Sequence, residues 1–271
     1  MSPRLSSSTP QRATLFDEVA STYHDVRPGY PDTVFEQVIR TTAVPSGARI
    51  LEIGCGTGKA TVPFASRGFQ MLCLEPGPNL AAVARMRLKD FPLVRVLNTT
   101  LEQWPVEPNA FDLVVSAQAF HWVDPAIRLP KAASALRRSG HIALIWNVPL
   151  VSGSPLAGDL ERVYRTHAPD LIKMTPTAII ELEAEINAAA LFDALHVSRS
   201  SWSATYDSAH YLALLDTYSD HRLLPEATRN ALFTAVGSVI DRAGGTMTVP
   251  YETVLFIAQV RPLNTGSLGG P

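Results

Sequence analysis

Apolar residues crowd together without helical spacing in five short segments of the first 150 residues: RILEIGC (49–55), FQMLCLEP (69–76), LVRVLNTT (93–100), AFDLVVSAQAF (110–120) and HIALIWN (141–147). Such runs predict buried strands. Between them, GKATVPFASRG predicts a helix stopped at Gly68, and NLAAVARMRLKDF predicts a second. DPAIRLPKAASALRRSG predicts a third, with Asp124 as N-cap, Pro125 just inside and Gly140 as the stop. Strict alternation of strand and helix implies right-handed crossovers and a parallel sheet covered on both faces. After residue 150 the rhythm changes. Residues 153–192 read as largely helical, HVSRSSWSATY (196–206) as a strand, 208–243 as helix again, and YETVLFIAQV (251–260) as a closing apolar strand. The pattern predicts a Rossmann-like, doubly wound α/β fold with a seven-stranded sheet. Its last two strands flank two helical insertions, which form a lid together with the N-terminal segment.

Composition narrows this picture mainly by exclusion. The length, 271 residues, suits one large domain or a domain with an appended lobe. A net charge of −2 provides no basic field, so no nucleic-acid partner is expected. Cys55 and Cys73 are too few for a metal site of their own and read as small packing residues. The opening MSPRLSSSTPQR lacks an apolar core, and no run reaches membrane-spanning length. A cytoplasmic protein with no membrane partner is the expectation. Residues 1–13 are expected to be disordered and 261–271 to form a flexible tail. Within 14–260, the expected parts are an N-terminal cover (14–48), a cofactor-binding core (49–148), and a substrate lobe with the closing strands (149–260).

The candidate chemistry starts where the first strand meets its helix. Glu52 is followed by glycines at 54, 56 and 58. Glu75 ends the next strand 19 residues after Gly56, the place of a carboxylate that grips ribose hydroxyls. A dinucleotide loop, G-x-G-x-x-G, would need glycine where this chain has Lys59. A carboxylate at Glu52 would repel a pyrophosphate and favour a cofactor with an ammonium and no phosphates, such as S-adenosylmethionine. An NAD(P)-dependent oxidoreductase and a non-catalytic cofactor-binding regulator stay open at this point.

ILEIGCGTGKAT and LCLEPG resemble the first and second motifs of class I S-adenosylmethionine-dependent methyltransferases. FDEVASTYHDVRPGYP and SAQAFHWVDP resemble the methyltransferase type 11, trans-aconitate methyltransferase-like small-molecule group. The resemblance covers residues 14–260 and is specific in the first 150. It implies a seven-stranded sheet with an antiparallel last strand, S-adenosylmethionine as cofactor, and methyl transfer to a small carboxylate, hydroxyl or amine. Carried over, Glu52 and the backbone of Gly54, Gly56 and Gly58 hold the methionine part. Glu75 takes the ribose hydroxyls and Pro76 packs near the adenine. Thr100 stands where an aspartate is common, so the backbone around Leu101 is expected to serve the adenine edge. Gln118 meets the methionine end, and Tyr23 and Arg27 belong to the cover.

For the acceptor, His121 and Tyr30 are the candidate general bases. Arg27 and Arg222 are the candidate clamps if the acceptor is a carboxylate. Trp122 and Trp146 either pack in the core or wall the pocket. YSDHR (218–222) either ends a helix or points His221 and Arg222 into the site. Arg137 and Arg138 read as a solvated helix C-terminus. No metal is expected.

Overall fold

Each apolar run in the first half becomes a strand. In the computed structural model, which describes residues 24–173 and 177–261, these are β1 (Arg49–Ile53), β2 (Gln70–Leu74), β3 (Val94–Leu97), β4 (Phe111–Ala117) and β5 (Leu136–Pro149). They pair in parallel, with Ile50 opposite both Met71 and Leu113, and Val114 opposite Ile142. Two long strands follow, β6 (Phe192–Asp207) and β7 (Thr246–Val260). The sheet order is β3-β2-β1-β4-β5-β7-β6, and β7 runs antiparallel to both neighbours. The doubly wound sheet with its antiparallel last strand is therefore present. The expectations for residues 1–23, Tyr23 among them, and for the tail from 262 onwards lie outside the described residues.

Alternate strand residues point to opposite faces. Leu51, Leu72, Val114 and Leu144 pack beneath α4 (Pro125–Ala135) and α6 (Thr177–Ala189). Ile50, Cys73, Val115 and Ala143 pack beneath α1 (Asp32–Thr42), α2 (Thr61–Ala65) and α3 (Pro78–Arg87). Glu52 shares its face with Ile50, so its side chain enters the layer under α2.

Two local expectations need correction. The helix after residue 124 keeps its Asp124 cap, which accepts from Ala126 N–H at 2.8 Å, but it ends at Ala135 and not at Gly140. Leu136 is already extended and pairs with Phe111, because strand pairing wins over the short helical continuation. Arg137 consequently sits on β5 and donates to Asp112 Oδ1 at 2.7 Å; it is not at a helix end. The first helix of the core is also shorter than the run to Gly68 predicts.

β6 and β7 overrun β5, whose end at Pro149 pairs with Tyr251. Their overhang projects beyond the C-terminal ends of β1, β4 and β5. On it sit α5 (Ala157–His167), α7 (Ser208–Asp216), α8 (Ser219–Arg222) and α9 (Glu226–Arg242). These helices share a core of their own, in which Leu160, Leu214, Leu232, Val236 and Ile240 meet Tyr206 and Tyr251. The helical lobe thus stands at the sheet edge where open α/β folds bind ligands. Among the described residues, no helix is long and apolar enough to cross a membrane.

Candidate active site

The three glycines after β1 all take left-handed backbone angles, with φ of +71°, +56° and +87° at Gly54, Gly56 and Gly58. Their surroundings differ. A Cβ on Gly54 would lie 2.3 Å from the Ala119 side chain, so this glycine lets the segment after β4 close against the loop. A Cβ on Gly58 would meet Leu88 of the α3 end at 3.1 Å. A Cβ on Gly56 would meet nothing within 4 Å. Only the middle glycine faces open space.

Four of the loop's N–H groups are already engaged. The N–H groups of Gly54 and Cys55 bond Leu74 O at 2.8 and 3.1 Å, and Gly58 N–H bonds Cys55 O at 2.9 Å. Gly56 N–H bonds Glu75 Oε2 at 2.8 Å, while Glu75 Oε1 accepts from Gly77 N–H at 2.9 Å. A phosphate cradle needs loop N–H groups aimed at the ligand. Here they tie the loop to β2 and to a carboxylate. Asn98, which pattern reading missed, donates to both Glu75 O and Pro76 O at 2.9 Å and fixes the turn that carries Glu75. Thr100 Oγ1 accepts from Gln103 N–H at 3.2 Å and so caps the next turn. Leu101 has its side chain in the core, which leaves its backbone as the part able to face a ligand.

Glu52 is fully buried beneath the loop and not beside it. Its Oε2 accepts from Thr61 Oγ1 at 2.6 Å and from Cys73 Sγ at 3.6 Å, whereas Oε1 has no hydrogen-bond partner among the described residues. Burial raises its pKa from 4.5 to about 7, against the lowering effect of those two bonds. Cys55 and Cys73 are buried; the hydrogen bond with Cys73 and then burial raise the Cys55 pKa, and burial raises that of Cys73, so both thiols stay protonated packing groups. Open space at Gly56 and the Glu75 carboxylate bonded to that glycine suit a ligand with hydroxyl groups, whereas Glu52 lies under the loop and does not face that space. That carboxylate and the engaged N–H groups do not suit a chain of phosphates.

After β4, Gln118 takes φ +57°, a conformation uncommon outside glycine. Its backbone N–H bonds Ile145 O at 2.9 Å, and its side-chain amide donates to Asn147 O at 2.9 Å. The next residues form a short 3-10 turn, Phe120–Trp122. His121 packs on Trp122 with ring centroids 4.7 Å apart and accepts at Nδ1 from Trp146 Nε1–H at 3.3 Å. Burial, with a smaller contribution from the Arg128 guanidinium, lowers the His121 pKa from 6.5 to about 4.

Residues 51–144 match the methyltransferase domain family. An uncharacterised methyltransferase of Mycobacterium tuberculosis is 36% identical over 132 residues, 49% of this chain and 51% of that protein. The chain thus spans about half the length of the curated relatives it matches first. Among solved structures, a candidate type II methyltransferase from Anaeromyxobacter dehalogenans superposes with a TM-score of 0.63 at 18% identity, over 87% of this chain and 99% of that one. Haemonchus contortus phosphoethanolamine N-methyltransferase 2, solved with phosphomonomethylethanolamine and S-adenosylhomocysteine, gives 0.55 at 17% identity, over 91% of this chain and 57% of that one. Residues 51–144 thus form a methyltransferase domain, on the fold that these solved structures share.

Residues 24–31, the first described stretch of the expected cover, dock at several points. His24 Nδ1 and Thr57 Oγ1 of the glycine loop are 2.9 Å apart. Val26 O lies 3.2 Å from His210 Nε2, and Gly29 O accepts from Asn147 Nδ2 at 2.7 Å. Arg27 donates from Nε and Nη2 to Thr217 Oγ1 and Thr217 O, both at 2.8 Å, with its guanidinium 4.3 Å from the Tyr218 ring centre. The guanidinium therefore ties the cover to the lobe. Tyr30 packs edge-on against Phe35 of α1, on the face opposite α4.

The YSDHR segment serves the lobe itself. His221 is buried between Tyr164 OH at 2.8 Å and Asp220 Oδ1 at 3.0 Å, and Arg222 pairs with Asp216 at 3.2 Å. His24, Thr57, Thr217 and Asn147 were missed in the sequence. Asn147 had a readable signal, as a polar residue at the end of a buried apolar run. It also accepts from Thr253 Oγ1 at 2.6 Å, and Thr253 Oγ1 accepts from Trp202 Nε1–H at 2.8 Å.

Proposed function

We propose that this protein transfers a methyl group from S-adenosylmethionine to a small-molecule acceptor. The observation that carries the reading is the glycine loop. The N–H groups of Gly54, Cys55, Gly56 and Gly58 are engaged, the middle glycine faces open space, and Glu75 is bonded to that same glycine. Bound cofactor supplies an electrophilic methyl on a sulfonium, so the protein's task is to align and enclose the reactants. In this reading Glu75 holds the ribose hydroxyls, and Pro76 and the backbone at Thr100 and Leu101 border the adenine. Gln118 and Asn147 hold the β4 and β5 ends in place. A small acceptor is supported by the cover, which runs from Thr57 to Thr217 over the strand ends and so encloses the site.

Calorimetry against S-adenosylmethionine and NAD tests the cofactor, and tighter binding of NAD overturns the reading. A screen with methyl-labelled cofactor over small acids, phenols and amines tests the reaction. Labelled transfer to protein or tRNA, with none to any small molecule, overturns the acceptor class.

A further inference from the structure

The indole N–H of Trp146 points at His121 Nδ1. An indole nitrogen can only donate, so the imidazole nitrogen that receives it must present a lone pair. The imidazole proton then sits on Nε2. No described residue bonds Nε2, and it is not among the sealed polar atoms of the interior. His121 stands on the turn after β4, half-buried against Trp122, at the edge of the sheet that carries Gly56 and Glu75. Protonating the ring would place a second N–H on Nδ1, directly against the indole donor.

We propose that His121 contacts the methyl acceptor as a neutral hydrogen-bond donor through Nε2–H, and that Trp146 is the positioning residue that holds it in that tautomer. The proposal rests on the methyltransferase reading above and deepens it. It removes His121 from the role of general base, because the nitrogen facing the acceptor already carries its proton and the other is occupied. What His121 recognises is an acceptor-side oxygen with a lone pair to offer. Any proton lost from the acceptor on methylation leaves by another route. The charged groups near the ring reinforce this assignment: Arg128 of α4 bonds Phe120 O at 3.3 Å and opposes a second positive charge, and it is itself paired with Glu185 of α6.

The test has one arm that needs no substrate. In protein labelled with 15N-histidine, long-range proton–nitrogen correlations distinguish the two neutral tautomers and the imidazolium. The His121 signal, assigned by its loss in His121→Gln, should show a protonated Nε2 and a bare Nδ1 from pH 8 down to about pH 5. In Trp146→Phe it should titrate at higher pH and mix tautomers. A protonated Nδ1 near pH 7 in the wild type overturns the proposal. The second arm uses methyl-labelled S-adenosylmethionine and the panel of small acids, phenols and amines. His121→Gln keeps an N–H donor and should lose less turnover than His121→Ala. Equal losses of roughly two to four orders of magnitude, the scale of a missing general base, overturn the proposal. If no compound on the panel is methylated, the functional reading fails while the tautomer arm still decides this one.

Discussion

Single residues at this site show the difference between a position that can be read and a role that cannot. Glu75 was placed by spacing alone. Its bonds to Gly56 and Gly77 became visible only with the backbone folded. Charged hydrogen bonds contribute about 1.5–3 kcal/mol each. Glu75→Ala should therefore weaken S-adenosylmethionine binding at least about tenfold in calorimetry, with an unchanged constant removing Glu75 from the site. Glu52 was legible as an acid at a strand end, but its direction depends on strand parity and on the closeness of α2. Its raised pKa has a calculable consequence. The folded state keeps a proton that the unfolded chain releases above pH 4.5, so stability falls as pH rises through about 7. The difference corresponds to roughly 3 kcal/mol. Glu52→Gln cannot titrate, so the drop in melting temperature between pH 5 and pH 8 should shrink in this variant. An identical drop in both proteins would show that Glu52 ionises normally.

Elements were read best where burial on both sheet faces leaves a continuous apolar run. β1, β2, β4 and β5 were recognisable for that reason, whereas β3, expected to be buried, is an edge strand with no buried residue, and the limits of α4 and β5 were not legible, since both lie in the same ALRRSG stretch and only pairing with Phe111 decides between them. The cover illustrates the other limit. Its contacts reach 33, 118, 184 and 190 residues along the chain, and no local pattern reports them. Those contacts predict a cooperative latch. Arg27→Ala removes two hydrogen bonds and a cation–π contact, so amide exchange across residues 24–31 should accelerate relative to wild type. Cofactor should slow exchange in the same residues. Unchanged rates in the variant would mean that the cover is held mainly by its other contacts.

At the scale of the whole molecule, the doubly wound seven-stranded sheet was accessible from the alternation of elements, and its antiparallel last strand from the family resemblance, whereas the strand order came only with the structure. The separate core of the lobe was likewise not legible, because α5 packs on α7 and α9 across the intervening α6 and β6, which no local pattern reports. That core makes a prediction of its own. Leu232 is fully buried within it, and Leu232→Ala should cost about 2–5 kcal/mol by leaving a cavity. The variant should melt earlier and still bind S-adenosylmethionine below its transition, since the glycine loop shares none of that core. Lost binding in the folded variant would show that lobe and loop form one unit. The docking of the cover also bears on biosynthesis. Residues 24–31 leave the ribosome nearly 200 residues before His210 and Thr217, and the β7 strand that completes the sheet emerges later still. The nascent chain must therefore carry its glycine loop with an unlatched segment before it until the lobe has been made. A product truncated before His210 lacks the partners that hold this segment down.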